Sequence, residues 1–292
     1  MREVGRFNRG SGTVTDLESV YFNWEMLARS VADYVVSRQN EDGGYTFCRY
    51  TDSNAQDTYY GLAILDLLGV PFPNVKQTIK WLHEFVPDSL YSHYHVNKAL
   101  KLCGQGLNKR LKAFLHSTHL DKGNLNMDVY VEVASEFETV FMTTELINMA
   151  GIAIDRQKVA KWLLTYQNRD GGFGVGGNSN LNATYHAVAS LFNLGYPVKS
   201  LNKTLKYVRA CEKPSGGFTV APNIFIPYME HTYYGVTALG LMGENIKYPK
   251  KTASFVFNCR NANGGFSRSE VGISTFEDTF YAVSILRTIS RQ

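Results

Sequence analysis

Long apolar segments and blocks of like charge are both missing from this sequence. No apolar run among its 292 residues approaches the length of about 18 that a membrane-spanning helix needs, and the N-terminus lacks the apolar core of a secretory signal. Lysine and arginine total 30 against 26 aspartates and glutamates, and they are spread along the chain rather than gathered into a nucleic-acid-binding patch. We therefore expect a cytoplasmic protein with no transmembrane segment and no nucleic-acid partner.

Cysteine is equally scarce. The chain has 4 cysteines and no C-x-x-C pair, which argues against a zinc knuckle or a thioredoxin-type site. Cys211 and Cys259 each lie five residues before a Gly-Gly pair, so they occupy equivalent positions of a repeated unit. Because unpaired cysteine is among the most often buried residue types, we expect both to pack in the core.

A repeated turn is the most prominent feature that the sequence does contain. In each copy two glycines precede an aromatic residue, and roughly a dozen residues later a polar-aromatic cluster opens an apolar run. The turns are Gly43-Gly44-Tyr45, Gly171-Gly172-Phe173, Gly216-Gly217-Phe218 and Gly264-Gly265-Phe266. The clusters are Asp57-Thr58-Tyr59-Tyr60, Ala183-Thr184-Tyr185-His186, His231-Thr232-Tyr233-Tyr234 and Asp278-Thr279-Phe280-Tyr281. A repeat with a fixed internal layout sets the architecture of the whole chain.

The spacing of the turns indicates six repeats. Successive Gly-Gly pairs are 128, 45 and 48 residues apart, so the first gap is close to three times the others. Two degenerate repeats lie within it, marked by Ser92-His93-Tyr94-His95 and by Glu138-Thr139-Val140-Phe141 before apolar stretches. The predicted repeats cover residues 20–71, 72–106, 107–152, 153–197, 198–245 and 246–292.

Each repeat contains two helical patterns. The segment 75–86 has apolar residues three and four apart beside charges, which is typical of a helix with one buried face. The segment 59–68 is apolar nearly all round, so it must be buried on every side. The stretch 129–133 is β-like but falls in a loop position. We predict an all-α fold, an (α/α)6 toroid or double-ring barrel of six helical hairpins, in one domain over residues 1–292.

These repeats resemble those of protein prenyltransferase β-subunits and squalene/terpene cyclases. The segments 39–45 and 167–173 match the Q-x-x-x-G-x-aromatic signature that both families share, and the similarity spans essentially the whole chain. The run 231–244 is similar to the β-subunit helix that begins with a zinc-binding histidine. The resemblance implies a toroid with an aromatic-lined cavity that holds an isoprenoid. Protein prenyltransferases also require a helical partner subunit, which is therefore a candidate partner here.

Aromatic residues recur at the predicted starts of the inner helices. Tyrosine stands where a filled core would use leucine or phenylalanine, and a buried hydroxyl needs a partner. We predict that these residues line a cavity for an apolar or isoprenoid small molecule; the alternative is that the rings simply fill the toroid. The predicted substrate-binding residues are Tyr59, Tyr60, Tyr94, Phe141, Tyr185, His186, Tyr233, Tyr234, Phe280 and Tyr281.

The zinc site of the prenyltransferase family is incomplete in this chain. The family uses Asp-x-Cys on one inner helix and a histidine on the next. His231 matches the histidine, but the previous inner helix reads Asn180-Leu-Asn-Ala-Thr-Tyr-His186, with neither aspartate nor cysteine. The loops of the fourth and fifth repeats lack the basic residues with which β-subunits hold a diphosphate, although Arg49 and Arg268 occupy comparable loops elsewhere. We expect no family-type zinc, and the cofactor stays open.

Four residues are candidates for catalysis: His231, Asp57, Asp278 and Glu138. A carboxyl with a raised pKa can protonate a substrate, although the cyclase motifs Asp-x-Asp-Asp and Asp-Asp-x-x-Asp are absent from the sequence. The alternative for the three acids is helix capping, worth about 1 kcal/mol. His231 follows Glu230, which would orient it, and a helix N-terminus disfavours the protonated imidazole.

The favoured function is that of an isoprenoid-handling protein, leaning toward a prenyltransferase-like or terpene-cyclase-like enzyme. One alternative is a noncatalytic module that holds an apolar ligand or a peptide, consistent with the missing zinc and diphosphate residues. Another is a carbohydrate-active lyase or hydrolase that uses Asp57 and Asp278, which lie in repeats that become neighbours when the ring closes.

Overall fold

The computed structural model describes residues 24–118, 120–121, 124–125 and 136–292. These residues form twelve α-helices and one antiparallel pair of two-residue strands, β1 (Leu120–Asp121) and β2 (Asn124–Leu125). The helices are α1 (Trp24–Val36), α2 (Ala55–Leu68), α3 (Val75–Glu84), α4 (Leu90–Leu102), α5 (Leu111–Thr118), α6 (Glu136–Ala150), α7 (Arg156–Leu164), α8 (Leu181–Asn193), α9 (Asn202–Cys211), α10 (Met229–Leu241), α11 (Pro249–Asn258) and α12 (Phe276–Ile289). The β-like stretch 129–133 lies outside the described residues.

The even-numbered helices form a closed inner ring. Each packs against the next even-numbered helix, and α12 packs against α2. The odd-numbered helices surround this ring, each against a neighbouring inner helix. Inner helices are buried on most sides, as in α2, whereas outer α3 buries only Thr78 and Leu82. The predicted all-α toroid of six hairpins is confirmed.

A hydrogen bond joins the two halves of the repeated sequence signature. In four of the inner helices, a threonine of the first turn accepts, through Oγ1, the backbone N–H of the aromatic residue after the Gly-Gly pair. The four bonds are Tyr45 to Thr58 at 3.0 Å, Phe173 to Thr184 at 2.9 Å, Phe218 to Thr232 at 3.1 Å and Phe266 to Thr279 at 3.0 Å. All four aromatic rings are fully buried. Because a buried N–H without a partner is costly, the threonine recurs wherever this turn does.

The first glycine of each pair lies against the backbone of an outer helix. Gly171 has φ +91, and a Cβ on it would lie 2.3 Å from the carbonyl oxygen of Lys203 in α9. Gly264 has φ +93, and its Cβ would lie 2.4 Å from the carbonyl oxygen of Ser30 in α1. Only glycine fits such an approach at a positive φ. The turn of the last repeat therefore packs on the first outer helix, as a closed ring requires.

Two other expectations from the sequence can be checked in the fold. Cys211 and Cys259 are both unpaired and buried, as predicted. None of the helices in the described part of the chain combines the length and the apolar content that a bilayer crossing needs.

Candidate functional site

One aromatic ring from each of the six inner helices faces the centre of the toroid. Neighbouring ring centroids are 5.8 to 6.4 Å apart around the whole circle, which closes between Phe280 and Tyr59. We call these residues the first layer. They are Tyr59, Tyr94, Phe141, Tyr185, Tyr233 and Phe280. Their equivalent positions show that the inner helices are parallel and begin at one end of the toroid.

The next residue of each inner helix also faces the central space and forms a second layer. It comprises Tyr60, His95, Met142, His186, Tyr234 and Tyr281. Ring contacts run along this layer too, from His95 to Tyr60 at 5.7 Å and from His186 to Tyr234 at 5.1 Å. All ten residues predicted to bind substrate line this space. His95 and Met142 were missed, although each directly follows a first-layer residue.

The central cavity has a volume of about 320 Å³. It shares Tyr59, Lys98, Glu145, Asn193 and Phe280 with a second space of about 690 Å³ near the C-terminal ends of the inner helices, which we call the vestibule. Small-molecule sites commonly occupy about 300–1,000 Å³. The toroid therefore holds a ligand-sized space with aromatic walls and a more polar entrance.

Carboxylates hold the tyrosine hydroxyls at both ends of the cavity. Toward the helix N-termini, the hydroxyls of Tyr60 and Tyr281 both donate to Oε1 of Glu277, at 3.1 and 2.8 Å. Toward the vestibule, Tyr94 donates to Oε2 of Glu145 at 2.9 Å, and Lys98 Nζ lies 2.7 Å from the same oxygen. These bonds fix ring orientation, as buried hydroxyls require.

The two histidines of the second layer are uncharged. Nδ1 of His95 lies 2.8 Å from the backbone carbonyl of Tyr91, one turn earlier in α4. Burial lowers the pKa of His95 to about 4 and that of His186 to about 3. Each imidazole is therefore a neutral hydrogen-bonding group inside the cavity.

Of the three predicted catalytic acids, only Glu138 lines the cavity. Burial raises the pKa of Glu138, and the nearby Glu277 raises it further. Asp57 bonds with the N-cap Asn54, whose Nδ2 donates to Asp57 Oδ2 at 2.7 Å. Asp278 likewise accepts from the N-cap Thr275 at 2.8 Å, and burial raises the pKa of Asp278 to about 6. Both aspartates thus serve helix ends, and the structure brings neither into the cavity.

The position one turn before the first layer forms a polar ring at the N-terminal end. Its members are Gln56, Tyr91, Glu138, Asn182, Glu230 and Glu277. The aspartates occupy the following position, which faces the cap. Glu277 was missed for this reason, because residues one apart on a helix point about 100° apart. The sequence signal that marks Glu277 is its position three residues before the first-layer aromatic residue of the same helix.

His231 lies beside this ring but does not line the cavity. It is buried, and its Nε2 is 3.2 Å from Oε1 of Glu230, which also accepts from Nη2 of Arg268 at 2.7 Å. Burial lowers its pKa, in line with the predicted neutral imidazole. Its Nδ1 is buried and makes no hydrogen bond within the described residues.

The arrangement around His231 does not fit a family-type zinc site. Such a site needs three protein ligands, and the first turn of α8 supplies Asn182 and Ala183 rather than a carboxylate and a thiolate. Within the ranges that the structure describes, no group of three or more His, Cys, Asp or Glu side chains is placed to hold a metal ion.

Solved structures with a similar architecture include a protein geranylgeranyltransferase and a type II terpene cyclase. Protein geranylgeranyltransferase-I of Candida albicans, in complex with GGPP, is 17% identical over 91% of this chain and 92% of that chain, with a TM-score of 0.73. A type II terpene cyclase from Scytonema, in complex with merosterolic acid A, is 11% identical over 92% of this chain and 96% of that one, with a TM-score of 0.58. A protein from Actinoplanes is 16% identical over 92% and 100%, with a TM-score of 0.60.

The family assignment comes from the sequence itself. No curated protein matches the chain. The family model of the prenyltransferase alpha-alpha toroid domain matches residues 11–85 and 140–292, which is more than half of the sequence. The chain therefore belongs to the prenyltransferase alpha-alpha toroid domain family.

Proposed function

We propose that the central cavity binds the hydrocarbon chain of an isoprenoid. The observation that carries this proposal is the double aromatic layer around a cavity of about 320 Å³. Burying apolar ligand surface there is favourable by about 25 cal/mol per Å², and flat rings suit the unsaturated bonds of a prenyl chain. The isoprenoid ligands named for the structurally similar enzymes, GGPP and merosterolic acid A, agree with this proposal.

Binding can be tested with a substitution whose larger side chain fills the cavity. Ala189 lies on α8 and lines the cavity, so Ala189→Trp would place an indole in the ligand's space. We expect prenyl alcohols of increasing chain length to bind the wild type in equilibrium dialysis, and Ala189→Trp to weaken that binding at least about tenfold.

The matched control is Ala113→Trp, because Ala113 is exposed on the outer helix α5. This variant should bind the alcohols like the wild type, and circular dichroism should show native helicity for both variants. Absence of binding to the wild type at any chain length, or unchanged binding to a folded Ala189→Trp, refutes the proposal.

A second candidate function is acid-initiated rearrangement of the bound isoprenoid, and Glu138 favours it. Its carboxyl lines the cavity and is held protonated to higher pH by burial and by Glu277. Proton transfer from this carboxyl to an alkene carbon would use the π electrons for the new C–H bond and leave a tertiary carbocation. The surrounding rings would stabilise that cation by about 0.5–2 kcal/mol each. Loss of a neighbouring proton to the Glu138 carboxylate would restore the acid and release a neutral product.

Deuterium exchange tests this second candidate without knowledge of the product. Incubation of a bound prenyl alcohol in D₂O should place deuterium on its carbon skeleton, detected by gas chromatography and mass spectrometry. Glu138→Gln should remove the incorporation but keep binding, whereas Glu41→Gln, at an exposed position, should keep both. Equal incorporation by the wild type and Glu138→Gln would exclude Glu138 as the acid.

A further inference from the structure

The cavity wall presents hydrogen-bond acceptors that have no donor. His95 is only 1% exposed and lines the cavity. Since a backbone carbonyl can only accept, the contact with Tyr91 places the proton of the ring on Nδ1 and leaves a lone pair on Nε2. Among the described residues no side chain or backbone group donates to that nitrogen. His186, only 6% exposed, is a second buried neutral imidazole on the same layer.

Three tyrosine hydroxyls of the wall are already in use as donors, whereas the buried Nδ2 of Asn193, another lining residue, makes no hydrogen bond within the described residues. Tyr60 and Tyr281 donate to Glu277, and Tyr94 donates to Glu145. A buried acceptor without a donor is unfavourable, so a ligand that brings an O–H into the cavity gains more than one that brings only C–H groups.

The charges around the cavity are unsuited to an anion. Lys98 is the one cationic side chain among the described lining residues, and its Nζ lies 2.7 Å from Glu145. The positive N-terminal ends of the inner helices face the ring that already contains three carboxyl groups, those of Glu138, Glu230 and Glu277. A diphosphate at either end would therefore meet carboxylates with no surplus of positive charge.

Two of the cations farther out each lie near a carboxyl group. In the vestibule, Lys101 is accompanied by Asp66. On the N-terminal side, the guanidinium of Arg268 is bound to Glu230 at 2.7 Å and lies 4.3 Å from the ring centroid of Tyr228. Arg268 therefore cannot hold a phosphate without displacing an existing partner, and Lys101 shares its wall with a carboxyl group.

We propose that the ligand of this cavity is an uncharged isoprenoid alcohol whose hydroxyl donates to Nε2 of His95, with His186 as the second acceptor, and that prenyl diphosphates are disfavoured. This inference rests on the proposed isoprenoid binding and specifies the polar end of the ligand.

The experiment compares three probes of one chain length in equilibrium dialysis: geranylgeraniol, geranylgeranyl diphosphate and the corresponding hydrocarbon without the hydroxyl. We expect the alcohol to bind about 3- to 10-fold more tightly than the hydrocarbon, the range of one net hydrogen bond, and more tightly than the diphosphate. His95→Phe should reduce the alcohol's advantage toward one while hydrocarbon binding is kept. His186→Phe provides a second, independent variant, and His83→Phe, exposed on α3, is the matched control.

The outcomes separate the inference from the proposed function. Tighter binding of the diphosphate than of the alcohol, or an alcohol advantage that survives both His95→Phe and His186→Phe, overturns the inference but leaves isoprenoid binding intact. Failure of all three probes to bind overturns both. Because hydrocarbon binding is measured on the same preparations, a variant that fails to fold is recognised by its loss of every probe.

Discussion

Replacing Gly171 with alanine should destabilise this fold more than replacing Gly195, although both glycines have a positive φ, +91 and +80. A methyl group on Gly195 would have no atom within 4 Å, so the cost there is that of a left-handed alanine, about 1–2 kcal/mol. On Gly171 the methyl carbon would lie 2.3 Å from the carbonyl oxygen of Lys203. That oxygen belongs to helix backbone, so α9 must shift as a unit, which adds about 1–3 kcal/mol.

The free energy of unfolding of the two variants can be compared by urea denaturation followed by far-ultraviolet circular dichroism. The gain from reducing unfolded-chain entropy is the same for both substitutions and cancels in the comparison. We expect Gly171→Ala to unfold at a lower urea concentration than Gly195→Ala, with a difference of about 1–3 kcal/mol. Equal stabilities would mean that the close approach of the turn to α9 does not constrain the fold, and the explanation of the Gly-Gly signature would fail.

Three further predictions concern the buried polar groups. Thr184→Val leaves the buried N–H of Phe173 without an acceptor and should cost about 1–3 kcal/mol in the same urea assay. Burial lowers the pKa of His95 to about 4 in the folded protein, compared with about 6.5 in the unfolded chain. The stability that the neutral His95 contributes is therefore present above pH 6.5 and is lost as the pH falls toward 4. His95→Phe should flatten the loss of stability over that pH window, and an unchanged pH profile would contradict this. Lys98→Met leaves Glu145 without its 2.7 Å partner and should cost about 1–2 kcal/mol. The further change Glu145→Gln removes the uncompensated charge and still accepts from Tyr94, so it should restore most of the loss, as a double-mutant cycle would measure.

The architecture could be predicted from the sequence because its determinants are local. The glycine of each turn is required by a positive φ and a close backbone contact, and the threonine by one buried N–H. These turns recur at a regular spacing, so the two repeats that lack the glycines can still be located from the length of the gap between turns. The repeat count, the alternation of outer and inner helices and the all-α class all follow from them.

The aromatic residues around the central space were also predictable, whereas the positions of the acidic side chains were predictable only in part. Recurring aromatic residues mark the first layer in every repeat, and all ten predicted lining residues face the cavity. Asp57 and Asp278 were predicted as catalytic candidates together with Glu138, but only Glu138 reaches the cavity. Glu277 lies beside Asp278 in the sequence, yet it is the residue that accepts from Tyr60 and Tyr281.

The sequence by itself determined the six-repeat toroid, the aromatic character of its centre and the absence of the family's paired zinc ligands. The tertiary structure alone decided which polar groups meet inside it. Neighbours in sequence such as Glu277 and Asp278 differ by about 100° of rotation on the helix, so one faces the tyrosine hydroxyls and the other the helix cap. Likewise, Lys98 is neutralised by Glu145 from another helix, 47 residues away in the chain. Packing between helices brings such groups within hydrogen-bonding distance, and the way they pair sets the charge that a ligand would meet.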